Sequence, residues 1–430
     1  MNESSVWKTL LRLSPPVLLA LLIQSIYNIV DSYFVAQYSE AGLTALSFIF
    51  PIQLLMTALA TGTGTGVNIL ISKMDGNGEN KKQYDFIKAS LFLGLVNFVL
   101  FAGAGIVLLK PFYMMSSGIS EVRTLGCQYG VIILSGSLGF FMESIFTKIL
   151  QAKAKMLIPM LAQITGALIN IALDPILIFG WKSIPQMGIM GAATATLIGQ
   201  WTAMIITCIA VWKNIGINGK IKLRNCALIY QTGFPSILMQ SLYTLYIVGL
   251  NLILNQFTEN AVTVLGIYYK LQTFFFIPLM GLQQVIVPVV SFYHGAGKMK
   301  KTKEVLSCSV MISVLVMAAG MIIFMVIPKQ LLSVFSSNPE IWEIGVTALR
   351  IISVSFLPAS ITMMFVVYFQ GVNKGLYSTT ITVFRQIVLL VPVAWILHFF
   401  GLSFVWLTFP ITEIAAAAVS FVLFLKLHSK

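Results

Sequence analysis

Charge is the scarcest resource in this sequence. Asp, Glu, Lys and Arg together make up 10% of its 430 residues, against about 25% in soluble domains. Acids are rarest, with 14 against 27 basic residues. The three histidines, His294, His398 and His428, show no HExxH or other ligand spacing, so metal catalysis has no support. The four cysteines, Cys127, Cys208, Cys226 and Cys308, are scattered without a CxxC and read as small apolar filler. The run Thr61-Gly62-Thr63-Gly64-Thr65-Gly66 suggests a phosphate loop, but it lacks the GK[ST] ending and follows no strand. Close helix packing by small residues is the better account of it. No nucleophile or metal constellation is visible, and neither an enzyme nor a bound cofactor is expected.

Apolar residues fill the space that charge leaves, at 58% of the chain. About 20 apolar residues span the hydrocarbon of a bilayer, and only helices or closed barrels can do so. The apolar stretches here are continuous rather than alternating, which selects helices. Twelve spans are predicted, near 15–35, 45–72, 89–109, 127–150, 157–179, 189–212, 235–256, 264–292, 307–327, 347–369, 376–398 and 403–425. The expected fold is an all-α integral membrane protein with short loops and no large soluble domain.

The formal charge of +13 could indicate a nucleic-acid partner, but its distribution indicates membrane topology instead. Basic residues cluster at every second loop: Lys73, Lys81, Lys82 and Lys88; Lys148, Lys153 and Lys155; Lys213, Lys220, Lys222 and Arg224; Lys298, Lys300, Lys301 and Lys303; Lys374. With Lys8, Arg12, Lys426 and Lys430 this side holds twenty of the 27; the other has only Lys110, Arg123, Lys182 and Lys329. The positive-inside rule then places both termini in the cytoplasm. The basic stretch Lys213–Gln231 is expected to join two halves and lie against the headgroups.

The sequence also repeats itself at an offset of 219 residues without a gap. Tyr27 returns as Tyr246, Gln53 as Gln272, Gly62 as Gly281, Ser72 as Ser291, Glu121 as Glu340 and Gln151 as Gln370. Gly76, Gly78, Lys81 and Lys82 return as Gly295, Gly297, Lys300 and Lys301, marking paired turns. Span 1 is therefore no cleaved leader, since its partner from Pro235 is internal. Two parallel repeats of six spans each are expected: an N-lobe over 1–213, a linker over 214–232 and a C-lobe over 233–430. In transporters built this way, the substrate path lies between the repeats.

Of the acids, only Asp31, Glu143, Asp174 and Glu413 fall inside spans, where charge is costly and usually faces a bundle interior or a wet cavity. Tyr27 and Asn28 precede Asp31 by four and three residues and share its helix face. Asn170 stands one turn before Asp174, and Pro175 removes the donor that would bind the Ile171 carbonyl. Two carboxylates at similar depth beside an amide and a freed carbonyl suit a proton or a Na⁺. The plainer reading is that each acid bonds a neighbouring Ser, Tyr or Asn and locks packing. Glu143 lies toward the cytoplasmic side near Lys148, and Glu413 stands alone in the last span. Lys270 and Arg385 are candidate counter-ions or substrate contacts, although Lys270 can simply snorkel outward. Pro16 and Pro175 are candidate hinges. Aromatic and methionine residues such as Tyr268, Phe275 and Met364 read as packing or lipid-facing, with a minority able to line a cavity for flat cations.

These residues together resemble the multidrug and toxic compound extrusion (MATE) family, most closely its DinF-like and MepA-like bacterial branch. The resemblance covers the whole chain. It rests on the six-plus-six repeat, on Pro15-Pro16 followed by Tyr27-Asn28-x-x-Asp31, on Asn170-x-x-x-Asp174-Pro175, and on the paired segments Gly76–Lys82 and Gly295–Lys301. It implies two six-helix lobes in a V and export of organic cations in exchange for H⁺ or Na⁺ across a bacterial plasma membrane. Such a protein is expected to meet drugs and lipids and to work as a monomer. The family's N-lobe ion site carries over to Asp31, Asp174, Asn170 and Tyr27, with Asp31 and Asp174 the only expected Na⁺ ligands among the acids. Some members also carry acids in spans 7 and 10; this chain has none there, and Asp31, Asn170 and Asp174 fall opposite Leu250, Leu389 and Val393. A flippase for lipid-linked sugars is the alternative within transporters, but it would need basic residues in its cavity. An intramembrane enzyme or a sensor has no supporting motif.

Overall fold

The computed structural model describes residues 5–79, 81–182 and 184–429. Lys430, counted above with the basic residues of one side, lies outside them. The first repeat opens with α1 (Val6–Tyr38), α2 (Glu40–Asn77) and α3 (Gln83–Ser116). It continues with α4 (Ser120–Gly136), α5 (Leu138–Ala152), α6 (Leu157–Phe179) and α7 (Ile189–Asn214). The second begins with α8 (Leu223–Leu254), α9 (Glu259–Phe275), α10 (Ile277–Gly295), α11 (Met299–Val326) and the short α12 (Pro328–Ser333). It ends with α13 (Pro339–Ser353), α14 (Phe356–Gly371), α15 (Gly375–Val383), a π-helical segment (Phe384–Leu390), α16 (Val391–His398), α17 (Leu402–Val405) and α18 (Thr408–His428). No strand occurs among the described residues beyond one isolated bridge between Trp181 and Ile184.

Among the described residues ten helices are long and apolar enough to cross a membrane, and the number is twelve if each of two bent pairs is one span. The expected spans 127–150 and 347–369 are these bent pairs: α4 and α5 meet at 45°, α13 and α14 at 47°. At each break a buried serine turns its hydroxyl back onto its own helix. Ser137 Oγ donates to the Leu134 carbonyl at 2.8 Å, and Ser355 Oγ to the Ile352 carbonyl at 2.6 Å. Such back-bonding competes with the helical ladder and bends it. The expected span 264–292 is likewise interrupted, at Phe276 between α9 and α10. Pro278 stands at the start of α10 and has no amide hydrogen to continue the ladder.

The repeat is legible in the backbone even where side chains have diverged. Gly78 and Gly297, in the turns that follow α2 and α10, stand at φ 75° and 69°, the left-handed region that favours glycine. Ala154 and Asn373, also 219 residues apart, share φ 56° and 59°. One residue later, the Lys155 amide bonds the Leu150 carbonyl at 3.0 Å and the Lys374 amide bonds the Phe369 carbonyl at 2.8 Å. Ser39 and Thr258 cap α2 and α9 from equivalent positions, accepting from Gly42 N and Asn260 N.

The chain divides into two compact units, Pro15–Ile237 and Met1–Ser14 with Leu238–Lys430. In the first, the glycine run of α2 makes a close crossing with the beginning of α8. Gly66 faces the backbone of Ile229 and Gly233, Gly62 faces that of Ile237, and Gly233 faces the Gly62 carbonyl; there is no room for a Cβ at any of the three. Next to this crossing Asn97 Nδ2 donates to Thr63 Oγ1 at 3.1 Å, and the Tyr230 hydroxyl donates to Asn97 Oδ1. Three helices are thus tied by one buried polar network. The connector is shorter than the basic stretch suggested, because α8 begins at Leu223. It is docked on the start of α3, with Lys220 N on Asp85 Oδ1 at 2.9 Å and Lys222 Nζ on Asp85 Oδ2 at 2.6 Å. Lys153 bonds both Asp75 and Gln83 at the same basic end.

In the second unit, Phe324 packs edge-on against Phe275 and Phe356 at 5.0 Å each. Tyr293 is buried there and hydrogen-bonded to the Thr9 side chain, which fixes the opening of α1 in this unit.

The glycine crossing gives a clear expectation. Gly66→Leu or Gly233→Leu drives a side chain into backbone and is expected to cost about 1–3 kcal/mol or more. Gly103, which faces open space, should accept alanine without loss. Thermal unfolding of the purified variants in detergent checks this; equal stability of Gly66→Leu and wild type would refute the crossing.

Candidate functional site

Four helices of the first unit, α1, α5, α6 and α7, bring polar side chains together in one region, and some of these line a small cavity. On α1, Gln24, Tyr27 and Asp31 follow at three and four residues and share a face. On α6, Gln163, Asn170 and Asp174 do the same at seven and four. Helices α6 and α7 approach at backbone distance, since Gly166 faces the Gly199 carbonyl and Gly199 the Gly166 carbonyl. That approach delivers Thr196 and Gln200 to the α6 row. The cavity, of about 90 Å³, is lined by Gln24, Tyr27, Glu143, Gln163, Asn170 and Gln200 among others.

Asn170 and Asp174 are 2% and 0% exposed. Asn170 Nδ2 is shared between Asp174 Oδ1 at 3.3 Å and Thr196 Oγ1 at 3.4 Å. Four buried oxygens find no donor within the protein: Asp31 Oδ1, Asn170 Oδ1, Asp174 Oδ2 and Gln200 Oε1. Buried polar atoms are normally paired, so four orphaned acceptors in one region point to something they receive. Oxygen-only donors suit a proton, a water or a small hard cation such as Na⁺, and do not suit a soft metal. Asp31 and Asp174 lie within Coulombic reach of each other, and both, with Glu143, act on Tyr27. The Tyr27 side chain is hydrogen-bonded with Gln24. Tyr129, paired with Gln53 at 3.5 Å, also feels Asp31 and Asp174.

The structure therefore gathers Asp31, Asp174, Asn170 and Tyr27. Of these, Tyr27 and Asn170 line the cavity, whereas Asp31 and Asp174 lie outside its lining. Asn28 is exposed, and its carbonyl accepts from Ser32 Oγ at 2.9 Å. Pro16 and Pro175 lie inside α1 and α6, which continue through them. Glu143 takes its hydrogen bonds from Thr147 Oγ1 at 2.7 Å and Gln163 Nε2 at 3.4 Å, while the Lys148 ammonium reaches Gln151 Oε1 at 3.0 Å. The glutamines were missed in the sequence. Their signal was available: Gln24, Gln163 and Gln200 are polar residues within spans, each in step with a singled-out residue or with Thr196.

Glu413 is not alone, contrary to the sequence expectation. Arg385 Nε and Nη2 both donate to Glu413 Oε1 at 2.6 Å, joining the π-helical segment to α18 in the second unit. Lone acids are read along the chain, whereas this pair forms between neighbouring antiparallel spans. Tyr246 and Tyr268 lie within Coulombic reach of the pair, and the Tyr268 ring lies 5.3 and 5.5 Å from those of Tyr269 and Phe409. Glu413 Oε2, Gln386 Oε1 and Thr412 Oγ1 are buried without partners. Lys270, the other candidate counter-ion, is exposed, its ammonium 5.9 Å from the Phe335 ring.

Comparison with known proteins bears on the family and the fold. The family model MatE matches residues 16–176 and again 235–396, one match per repeat. The multidrug export protein MepA of Staphylococcus aureus is 26% identical over 441 aligned positions, covering 99% of this chain and 95% of that protein. An FAD transporter of Shewanella oneidensis is 22% identical, covering 96% and 93%. Among solved structures, a MOP-superfamily transporter from Pyrococcus furiosus superposes with a TM-score of 0.89 at 25% identity, covering 98% and 95%. The Vibrio cholerae MATE transporter VcmN, solved as a point mutant, gives 0.91 at 21% identity, covering 99% and 98%, which speaks for the fold alone.

The buried pair in the second unit can be tested directly. Arg385→Leu leaves Glu413 without its counter-charge and is expected to destabilise by about 3–5 kcal/mol. Replacing both residues with apolar ones of similar volume should recover most of that loss. A double-mutant cycle on thermal unfolding reads this; additive losses would show that the pair does not act as a unit.

Proposed function

Because the chain belongs to the MatE family of membrane transporters, we propose that it exports organic cations in antiport with H⁺ or Na⁺ by alternating access. It is a multi-pass transporter and not an enzyme. The observation that carries the reading is the set of orphaned acceptor oxygens on Asp31, Asn170, Asp174 and Gln200 beside a polar cavity. The proposed working parts are an N-lobe over 1–213 that receives the ion, a linker over 214–232 and a C-lobe over 233–430. Both termini face the cytoplasm of a bacterial cell, and the protein acts as a monomer.

The proposed cycle follows from the cost of buried charge. A carboxylate in an apolar interior is penalised relative to its neutral or ion-paired form. An external proton or Na⁺ arriving at Asp31 and Asp174 removes that penalty and changes how α1 and α6 pack, with Pro16 and Pro175 as the bending points. The drug leaves outward; the ion is released inside as a new drug binds. One H⁺ exchanged for one monovalent cation moves no net charge, so the pH gradient alone supplies about 1.4 kcal/mol per unit. A second ion would add about 2.3 kcal/mol per 100 mV of membrane potential. A flippase is disfavoured, because Arg385 is committed to Glu413 and Lys270 lies exposed.

The test is ethidium transport by the purified protein in vesicles under an imposed pH or Na⁺ gradient, each alone. One gradient should drive uptake or efflux against the dye gradient, and Asp31→Asn and Asp174→Asn should abolish it in protein that still reaches the membrane. Transport that responds to neither gradient, or full efflux by either variant, would overturn the antiport reading.

A further inference from the structure

The cavity is small for a drug. Drug-sized ligands occupy clefts of roughly 300–1,000 Å³, and about 90 Å³ is available here, room for a few waters. Its lining is polar at both ends. One end is Asn170, which holds Asp174 and Thr196. The other is Glu143, bonded by Gln163 and Thr147. Gln163 and Asn170 are seven residues apart on α6, or about 10 Å along the axis. The chamber therefore extends along α6 from Asn170, which holds the Asp174 carboxylate, to Glu143.

Beyond Glu143 the polar row continues. Thr147 and Gln151 follow it at successive turns of α5 and are 4% and 3% exposed. Thr147 Oγ1 bonds Glu143, and Gln151 Oε1 receives the Lys148 ammonium. Asn68 Nδ2 bonds the Lys148 carbonyl at 3.1 Å and Ser72 Oγ bonds the Ala152 carbonyl at 3.4 Å, so α2 lines the row with polar atoms as well. The row ends two residues before Lys153, which is held by Asp75 and Gln83 in the basic loop. Apolar packing needs none of these side chains. A buried polar file from a cavity to the basic end of the unit is the layout of a proton path.

We propose that Glu143 is the inner relay of that path, taking protons from Asp31 and Asp174 through the cavity and passing them toward the basic loop along Thr147 and Gln151. This rests on the antiport reading with H⁺ as the ion. In the step, an Asp31 or Asp174 O–H bond breaks as its proton passes to a cavity water, and that water gives one of its own protons to a Glu143 oxygen; the Glu143 O–H bond then breaks as its proton passes to a water on the Thr147 side, and the carboxylate is restored. Nothing is oxidised or reduced. The charged and titratable groups that bear on Glu143 are Lys148 on its own helix and Tyr27 on α1, with Asp31 and Asp174 beyond Tyr27.

The experiment uses the full chain in proteoliposomes with a pH-sensitive dye inside and ethidium as substrate. Glu143→Gln should slow ethidium transport driven by a pH gradient by about tenfold or more, while ethidium affinity stays close to that of wild type. Glu143→Asp should restore most of the rate, and Thr147→Val should give an intermediate loss. Wild-type rates in Glu143→Gln would overturn the relay and leave the antiport reading standing. Loss of ethidium affinity together with transport, without rescue by aspartate, would also overturn it in favour of a packing role. A wild-type protein indifferent to the pH gradient would overturn the relay, and one indifferent to a Na⁺ gradient as well would overturn the antiport reading with it.

Discussion

A bilayer interior supplies no water to a polar atom that lacks a partner, and that constraint orders this molecule. Backbone groups meet it by helix formation throughout. Side chains meet it locally wherever they can: hydroxyls of serine and threonine return to their own helices, and Asn97 links Thr63 to Tyr230. What remains is informative because so little remains. Unpartnered oxygens gather around Asp31, Asn170, Asp174 and Gln200 in one unit and around Glu413 and Gln386 in the other. Other unpartnered atoms, such as Asn68 Oδ1 and Gln283 Nε2, stand apart from these groups; the clustered oxygens of the first unit are the ones available to an exchangeable ligand.

Much of the fold was open to reading in the sequence, because membrane spans are written in long apolar runs and repeats in plain identities. The breaks were harder to see. The bends of 45° and 47° have only local signals, the run Ser135-Gly136-Ser137 in one pair and Pro358 three residues after Ser355 in the other; hydropathy averages both away. The candidate ion site was legible where residues fall one turn apart, as Asn170 and Asp174 do. It was not legible where partners come from different helices. Thr196 joins Asn170 only through the Gly166–Gly199 approach, and Arg385 joins Glu413 across 28 residues of sequence. Periodicity describes one helix at a time; the depth at which two helices meet is set by packing.

The two copies have kept the same backbone devices and changed their chemistry. The first carries carboxylates on α1 and α6, each with one buried oxygen unpartnered. At the corresponding positions the second has leucine and valine, yet it buries an ion pair of its own elsewhere, between the π-helical segment and α18. A buried ion pair is a weak source of stability, and π-helical turns are common at functional positions. The second copy is therefore not an inert counterpart: it holds its charge internally compensated, where the first holds its charge open to exchange.

The compact units do not coincide with the two copies. Residues up to Ser14 group with the second unit, and residues up to Ile237 with the first. Each copy thus lends the opening of its first helix to the other, and the borrowed part of α8 carries Tyr230 and Gly233, on which the α2 crossing depends. Severing the chain in the connector would leave neither fragment whole. The duplication can be traced in the sequence as two halves, but folding has interleaved them, so that each compact unit is finished by a piece of its twin.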